Sequence, residues 1–458
     1  MRNEGGTMKR IKCLLIFSFL LLVACSRGSN GYYVNKLYVT MEEAVCDTKE
    51  ESPYNMPIPY DSPLHDVFTS GRTRAEYLYD LDFLYNTLLE NFPYFGTILR
   101  SHGADLHTRF LETREHIMTR SDFPSDGHFA ATLSNSFVGH SRGVGHLDVV
   151  PTEGILLHIH VFNQAIEQHG ATQLQPFLDE LNNPATRALH NLTDADFILS
   201  LEGMESIVYP TTSDNIQTHI IEEDRIAYVN ILDMEYLTME LDRVTLTDFF
   251  YSVADYEHLI IDIRQNMGGD GRFFPDLVMS PNISYVLQYE YYVFLMGGEQ
   301  NRRILSALFD TEDLVRPIND DVIARLPYFR DDYVHMFSYY LRSGYYIEPS
   351  HGTGIFGGKI WLLVSSRNGS ASEFALAAAK QTGFATLVGE QTGGGGHSLQ
   401  FVMVALPNSG TVVRFSAGYG VDYMGRESYE HGTQPHYFNR QGMDALETVL
   451  AMIEEVNY

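Results

Sequence analysis

The chain has 458 residues, 44% of them hydrophobic and 12% aromatic, which is enough to fill the cores of two or three domains and too apolar for a disordered protein. Its 31 Lys and Arg stand against 59 Asp and Glu, a formal charge of −28, and this excess excludes nucleic acid as a partner, because phosphate backbones are held by clustered basic side chains. Acidity of this degree otherwise speaks only for solubility.

The basic residues Lys9, Arg10 and Lys12 precede the apolar run CLLIFSFLLLVA and then Cys25, the layout of a signal peptide. Leu22-Val23-Ala24-Cys25 resembles the bacterial lipobox, in which small residues admit a signal peptidase and the cysteine then receives lipid. Residues 1–25 are therefore expected to be a lipoprotein signal peptide. Cys25 is the expected acylation site, and the mature protein is expected in the bacterial cell envelope, extracytoplasmic and held to a membrane by acyl chains rather than by a spanning helix. An ordinary signal anchor is the alternative reading of the same run. With Cys13 in the leader and Cys25 lipidated, only Cys46 remains, in the acidic segment EEAVCDTKEES, so no intrachain disulfide is expected. Residues 26–72 read as a linker or draped arm.

From 73 to 150 the pattern is helical, with apolar residues three and four apart in RAEYLYDLDFLYNTLLEN and again from Leu106 to Met118, and this stretch is expected to form an N-terminal helical subdomain. Residues 151–221 give mixed signals: a short apolar stretch, GILLHIHVF, and a helix around QPFLDELNN. On a strand, His158 and His160 would share one face near His140, His146 and Asp148, but the spacing matches no compact zinc signature. Residues 222–458 alternate buried strands (IAYVNIL, HLIIDIR, KIWLLV, ATLVGE) with helices, which predicts an α/β layer, interrupted by a tyrosine-rich insertion at about 271–357. A hairpin is expected around Asn408-Ser-Gly410. A final helix, DALETVLAMIEEV, puts Leu446, Val449, Leu450 and Ile453 on one face.

Within this layer, SSRNGSASE lies between KIWLLV and FALAAAK. Ser370-x-x-Glu373 fits a helix capping box. The same serine also sits on a strand-to-helix turn, where a hydroxyl is exposed beside the donors and positive dipole of a helix N-terminus. On the second reading Ser370 is a nucleophile and the N–H of Ala371 is one oxyanion donor. A second donor is expected at Gly268, where the buried strand leading to DIRQNMGG ends in a glycine turn.

Three ordered motifs, DIRQNMGG, GSASE and LVGEQTGG, closely resemble those of the carboxy-terminal-processing, tail-specific and tricorn-core serine peptidases, over roughly residues 222–440. The resemblance implies a crotonase-like α/β core with the first serine of S-A-S-E, Ser370, as nucleophile. The processing branch takes its base from a lysine in a glycine-rich turn. Here that turn is GGGGHS, and no lysine follows Lys380, so the resemblance points to the tricorn-like branch with a histidine base completed by a glutamate. His146, in G-H-L, resembles that histidine, and His140 and His397 are the alternatives. The expected orienting carboxylate is Glu430, with Glu427 as its rival, because RESYEHGTQP resembles the family ending E-x-x-G-x-x-P with its register shifted. No cofactor or metal is expected. The implied activity is that of an endopeptidase cutting peptide or protein substrates through an acyl-enzyme, with an acid limb near the roughly 6.5 of free imidazole. The alternative is an inactive peptide- or apolar-ligand-binding protein on the same fold. No peptide-docking PDZ module is apparent.

Overall fold

The computed structural model describes residues 66–170, 172–192, 211–308, 315–397 and 401–456. The leader, Cys25, Cys46 and nearly all of the arm lie outside them. Four helices come first: α1 (Arg74–Asn91), α2 (Phe95–His102), α3 (Leu106–Thr119) and α4 (Asp126–Ser136). Their starts are set by side chains: Thr73 and Glu76 close a reciprocal capping box on α1, while Asp105 and Ser125 cap α3 and α4. Then follow β1 (Asp148–Val149), α5 (Thr152–His169), α6 (Gln175–Leu181) and α7 (Pro184–Leu189).

GILLHIHVF lies inside α5 and is not a strand. Ile155 and Ile159, four apart, are both buried, so the run is the core stripe of a helix. On a helix, residues two apart diverge by about 200°, so the strand face expected to bring the two histidines of H-I-H together does not exist. His158 is buried, and its Nδ1–H donates to the Gly154 carbonyl one turn back at 2.6 Å.

The second half supplies β2 (Ile216–Glu222), β3 (Ile226–Ile231), α8 (Met239–Ser252), β4 (His258–Asp262), β5 (Leu287–Leu295), α9 (Glu299–Leu308), β6 (Val315–Pro317), α10 (Asp320–Ile323) and β7 (Tyr339–Ile347). It continues with β8 (Lys359–Val364), α11 (Ala371–Thr382), β9 (Thr386–Gly389), β10 (Phe401–Ala405), β11 (Val412–Ser416), β12 (Gly418–Asp422), α12 (Ser428–His431), β13 (Tyr437–Phe438) and α13 (Ala445–Val456). The main sheet runs β13-β9-β8-β4-β3-β2, parallel except for the antiparallel edge strand β2. Its central strands are apolar on both faces because both are covered. Leu259, Ile261 and Leu362 pack under α8 and α11, while Ile260, Trp361 and Leu363 pack under Val449 and Ile453 of α13.

The tyrosine-rich insertion is built into the fold. Its strands β5, β7 and β6 join β12 in a second, antiparallel sheet, and Tyr289, Tyr291 and Tyr345 set their rings on Phe374 of α11, 5.2 to 5.8 Å between centroids. A third sheet, β1-β11-β10, contains the expected hairpin. The first four helices do not close on themselves. Their buried stripe, Tyr77, Leu78, Leu81, Leu84 and Leu88 of α1 included, shares one apolar cluster with β5, β10, β11 and β12. Asp80 locks this contact: its buried carboxylate accepts the backbone N–H groups of Asn408 and Ser409 at 3.0 and 2.7 Å, and the Asn408 side-chain amide at 3.0 Å. Asp80→Ala would leave these donors without their acceptor, and a loss of about 3 kcal/mol is expected in denaturant unfolding. A shift within error would mean that water replaces the carboxylate and the clamp contributes little.

Candidate active site

Ser370 follows β8 by five loop residues and opens α11 with φ 55° and ψ −125°, a backbone state natural to glycine and rare for a residue with a Cβ. The capping box read from Ser370-x-x-Glu373 does not form. The Ser370 hydroxyl makes no cap bond. Glu373 turns the other way: its buried carboxylate accepts from the hydroxyls of Thr392 and Thr433, and burial raises it to about 7. Loop closure falls to Ser372, whose Oγ accepts the Gly369 N–H at 3.1 Å and lies 3.1 Å from the Asn266 carbonyl. The hydroxyl of Ser370 is thereby left uncommitted.

The loop that ends β4 is pressed against this turn. A Cβ on Gly268 would stand 2.9 Å from the Ala371 nitrogen and 3.0 Å from the Ser370 Cβ, so only glycine fits there. Gly268 therefore flanks the nucleophile candidate, but its N–H is already engaged, donating to the Asn266 side-chain oxygen at 2.9 Å. It is not a ready oxyanion donor in this state. Ala371, the first helical residue, has an N–H with no acceptor inside its own helix.

Of the three histidines, His146 and His397 both adjoin this region, and they differ in what holds them. Gly145 and His146 are both left-handed, at φ 63° and 52°, and a Cβ on Gly145 would strike the rings of Phe92 and Tyr94. The resulting turn brings His146 Nδ1 to 2.8 Å from the Tyr429 hydroxyl. The Tyr429 ring lies against Gly395, and the neighbouring Gly394 carbonyl accepts the Ser370 N–H at 3.1 Å. Burial, with the Arg414 cation adding to it, lowers His146 to about 3. His140 instead sits near Arg109 and Glu112 of α3, partly buried, with its pKa lowered chiefly by that burial. His397 is 3% exposed and packs against Tyr289 and Tyr291. Its Nε2 is bonded to the Tyr289 hydroxyl, and burial lowers it to about 4.

Neither glutamate takes the Nδ1 of His146. Glu430 gives both carboxylate oxygens to Arg100, at 2.9 and 2.6 Å, which corrects its reading as the orienting acid. Glu427 is buried and caps α12, accepting the N–H groups of Tyr429 and Glu430 at 2.8 and 2.7 Å, while burial raises it to about 8. The residue between them, Tyr429, makes the contact. Sequence reasoning gives no reason to single it out, since the motif draws the eye to carboxylates and 29 tyrosines are scattered through the chain.

A serine on a strained strand-to-helix turn is flanked by a glycine loop and lies beside the glycine run against which Tyr429, the partner of His146, is packed, an arrangement on a mixed α/β fold that suits a serine hydrolase. Residues 225–438 match the model of Peptidase family S41, and the chain carries a serine peptidase domain of that family. No curated protein matches the sequence. Among solved structures, the chain resembles mature CPAF complexed with lactacystin, at 14% identity and TM-score 0.48 over 84% of this chain and 97% of that one. It also resembles a candidate peptidase from Parabacteroides merdae, at 15% identity and TM-score 0.46 over 83% and 95%. The photosystem II D1 C-terminal processing protease aligns at 16% identity and TM-score 0.32 over 51% and 50%.

The strain at Ser370 has a measurable signature. Ser370→Gly is expected to raise stability by about 1 kcal/mol or more by relieving the left-handed backbone, and Ser370→Ala is not. Identical melting curves for the two variants would show that the turn is unstrained.

Proposed function

We propose that Ser370 is the nucleophile of an endopeptidase, and the observation that carries this is its uncapped hydroxyl on a strained turn at the start of α11. Its Oγ attacks the scissile carbonyl as His146 Nε2 takes the hydroxyl proton. The Ala371 N–H, aligned with the α11 dipole, receives the developing oxyanion. Gly268 adds a second donor only if its N–H leaves Asn266. His146 returns the proton to the departing amine, and water then hydrolyses the acyl-enzyme by the same steps in reverse. Throughout, the imidazole keeps the required tautomer by donating Nδ1–H to the Tyr429 oxygen. The core is read as crotonase-like, with His146 and Tyr429 supplied from outside it. A ligand-binding role alone would leave the strain at Ser370 without a purpose.

A tyrosine hydroxyl is neutral, so it orients the imidazole without stabilising the imidazolium as a carboxylate would. The base must be unprotonated to act, and a lowered pKa keeps it so. The acid limb of kcat/KM is therefore expected well below the 6.5 of free imidazole, revising the value read from the sequence alone. Ser370→Ala and His146→Ala should each lose at least about a thousandfold in kcat. His140→Ala should retain the wild-type rate, and Tyr429→Phe should lose about tenfold or more by freeing the imidazole to adopt the wrong tautomer. A His146→Ala enzyme of near-normal rate would sink this assignment.

The leader supports a lipid-anchored, extracytoplasmic peptidase acylated at Cys25, a residue outside those described. Cys25→Ser is expected to move the exported protein from the membrane pellet to the soluble fraction. Retention in the pellet would refute acyl anchoring.

A further inference from the structure

The second sheet has two unlike faces. Tyr289, Tyr291 and Tyr345 point toward α11, while residues on the opposite face, Tyr292 on β5, Tyr340 and Arg342 on β7 and Arg316 on β6, line a cavity of about 350 Å³ closed by α10 and Arg325. The register places them together: Tyr292 is opposite Arg342, and Arg316 is opposite Tyr340. Three of the eight lining residues are arginines, in a chain with 31 basic residues in 458. Asp321 lines the same cavity, and Arg342 shares Glu290 at 2.6 Å while remaining half-exposed. Among the described residues, Arg316 and Arg325 form no ion pair. A guanidinium offers five donors in a planar fork that suits a carboxylate, so the pocket retains unused donors.

We propose that this cavity is an exosite that binds a carboxylate-bearing segment of a peptide substrate through Arg316, Arg325 and Arg342. The peptide class of the ligand rests on the peptidase reading, whereas the anion site rests on the cavity alone. With a net charge of −28 the molecule as a whole repels acidic chains, so a concave cluster of arginines is where such a chain would be held. The sheet separates the pocket from α11. It therefore acts on capture of the substrate rather than on bond cleavage. Exposed ion pairs are individually weak, so binding is modest and falls with salt.

The test uses full-length Ser370→Ala protein, which cuts nothing, titrated with a fluorescein-labelled tetraglutamate peptide at low salt and followed by fluorescence anisotropy. Arg316→Ser combined with Arg325→Ser should weaken binding by about tenfold or more. Arg325→Glu should weaken it further, and a tetraglutamine peptide should not bind. The substituted side chains are exposed, and unchanged melting temperatures will confirm that folding is intact. Equal affinity in the double variant overturns the site. Displacement by inorganic phosphate at the same concentration as the unlabelled peptide overturns the peptide assignment. Failure of the nucleophile reading would show instead as an absence of hydrolysis by the wild type, which this binding measurement does not involve.

Discussion

The side chain of Asn368 holds together the loops that make the site. Its buried amide donates to the carbonyls of Ile263 and Asn266 at 2.5 and 2.9 Å, and its oxygen accepts the Ser365 N–H at 2.8 Å. Its own carbonyl accepts the Gly393 N–H at 2.7 Å. One residue thus ties the turn after β4, the turn before α11 and the glycine-rich run into a single body. A buried amide with its donors and acceptor matched is strongly fixed, because any other arrangement strands a polar group away from water. That fixity is what allows Ser370, two residues on, to be held in a conformation the chain would otherwise leave.

A second constraint comes from burial of polar groups among aromatic rings. His146 is pressed between Tyr429 and a turn backed by Phe92 and Tyr94, and the nearby Arg414 repels any proton it might gain. Both effects favour the neutral imidazole, the form that can accept a proton. Glu427 reaches this histidine only indirectly, by capping the helix that carries Tyr429. Glu427, Tyr429 and His146 are thus arranged in series, and burial keeps the Glu427 carboxyl from standing as a fixed negative charge beside the base.

Much of this was legible in the sequence where local chemistry decides the outcome. The alternation of buried strands and helices, the Asn408-Ser-Gly410 hairpin and the apolar face of α13 all follow from spacing and side-chain type. The serine turn and the glycine loop beside it were legible as motifs. What escaped depends on tertiary contacts. GILLHIHVF carries no period long enough to separate helix from strand. The letters of Ser370-x-x-Glu373 describe a capping box, but Thr392 and Thr433, nineteen and sixty residues on, draw the glutamate away. Likewise Arg100 claims Glu430 across 330 residues of chain and leaves Tyr429 to meet His146. The separateness of the first helices was misjudged because an amphipathic stripe does not say what will cover it.

The central claim is that the hydroxyl of Ser370, freed from capping, is chemically activated. Its most direct test is labelling of the folded protein with a serine-reactive fluorophosphonate, followed by intact mass and peptide mapping. The account predicts a single adduct, on Ser370, formed at a rate that His146→Ala suppresses. No adduct on the folded protein, or an adduct on Ser372 or Ser365 with Ser370 untouched, would contradict it.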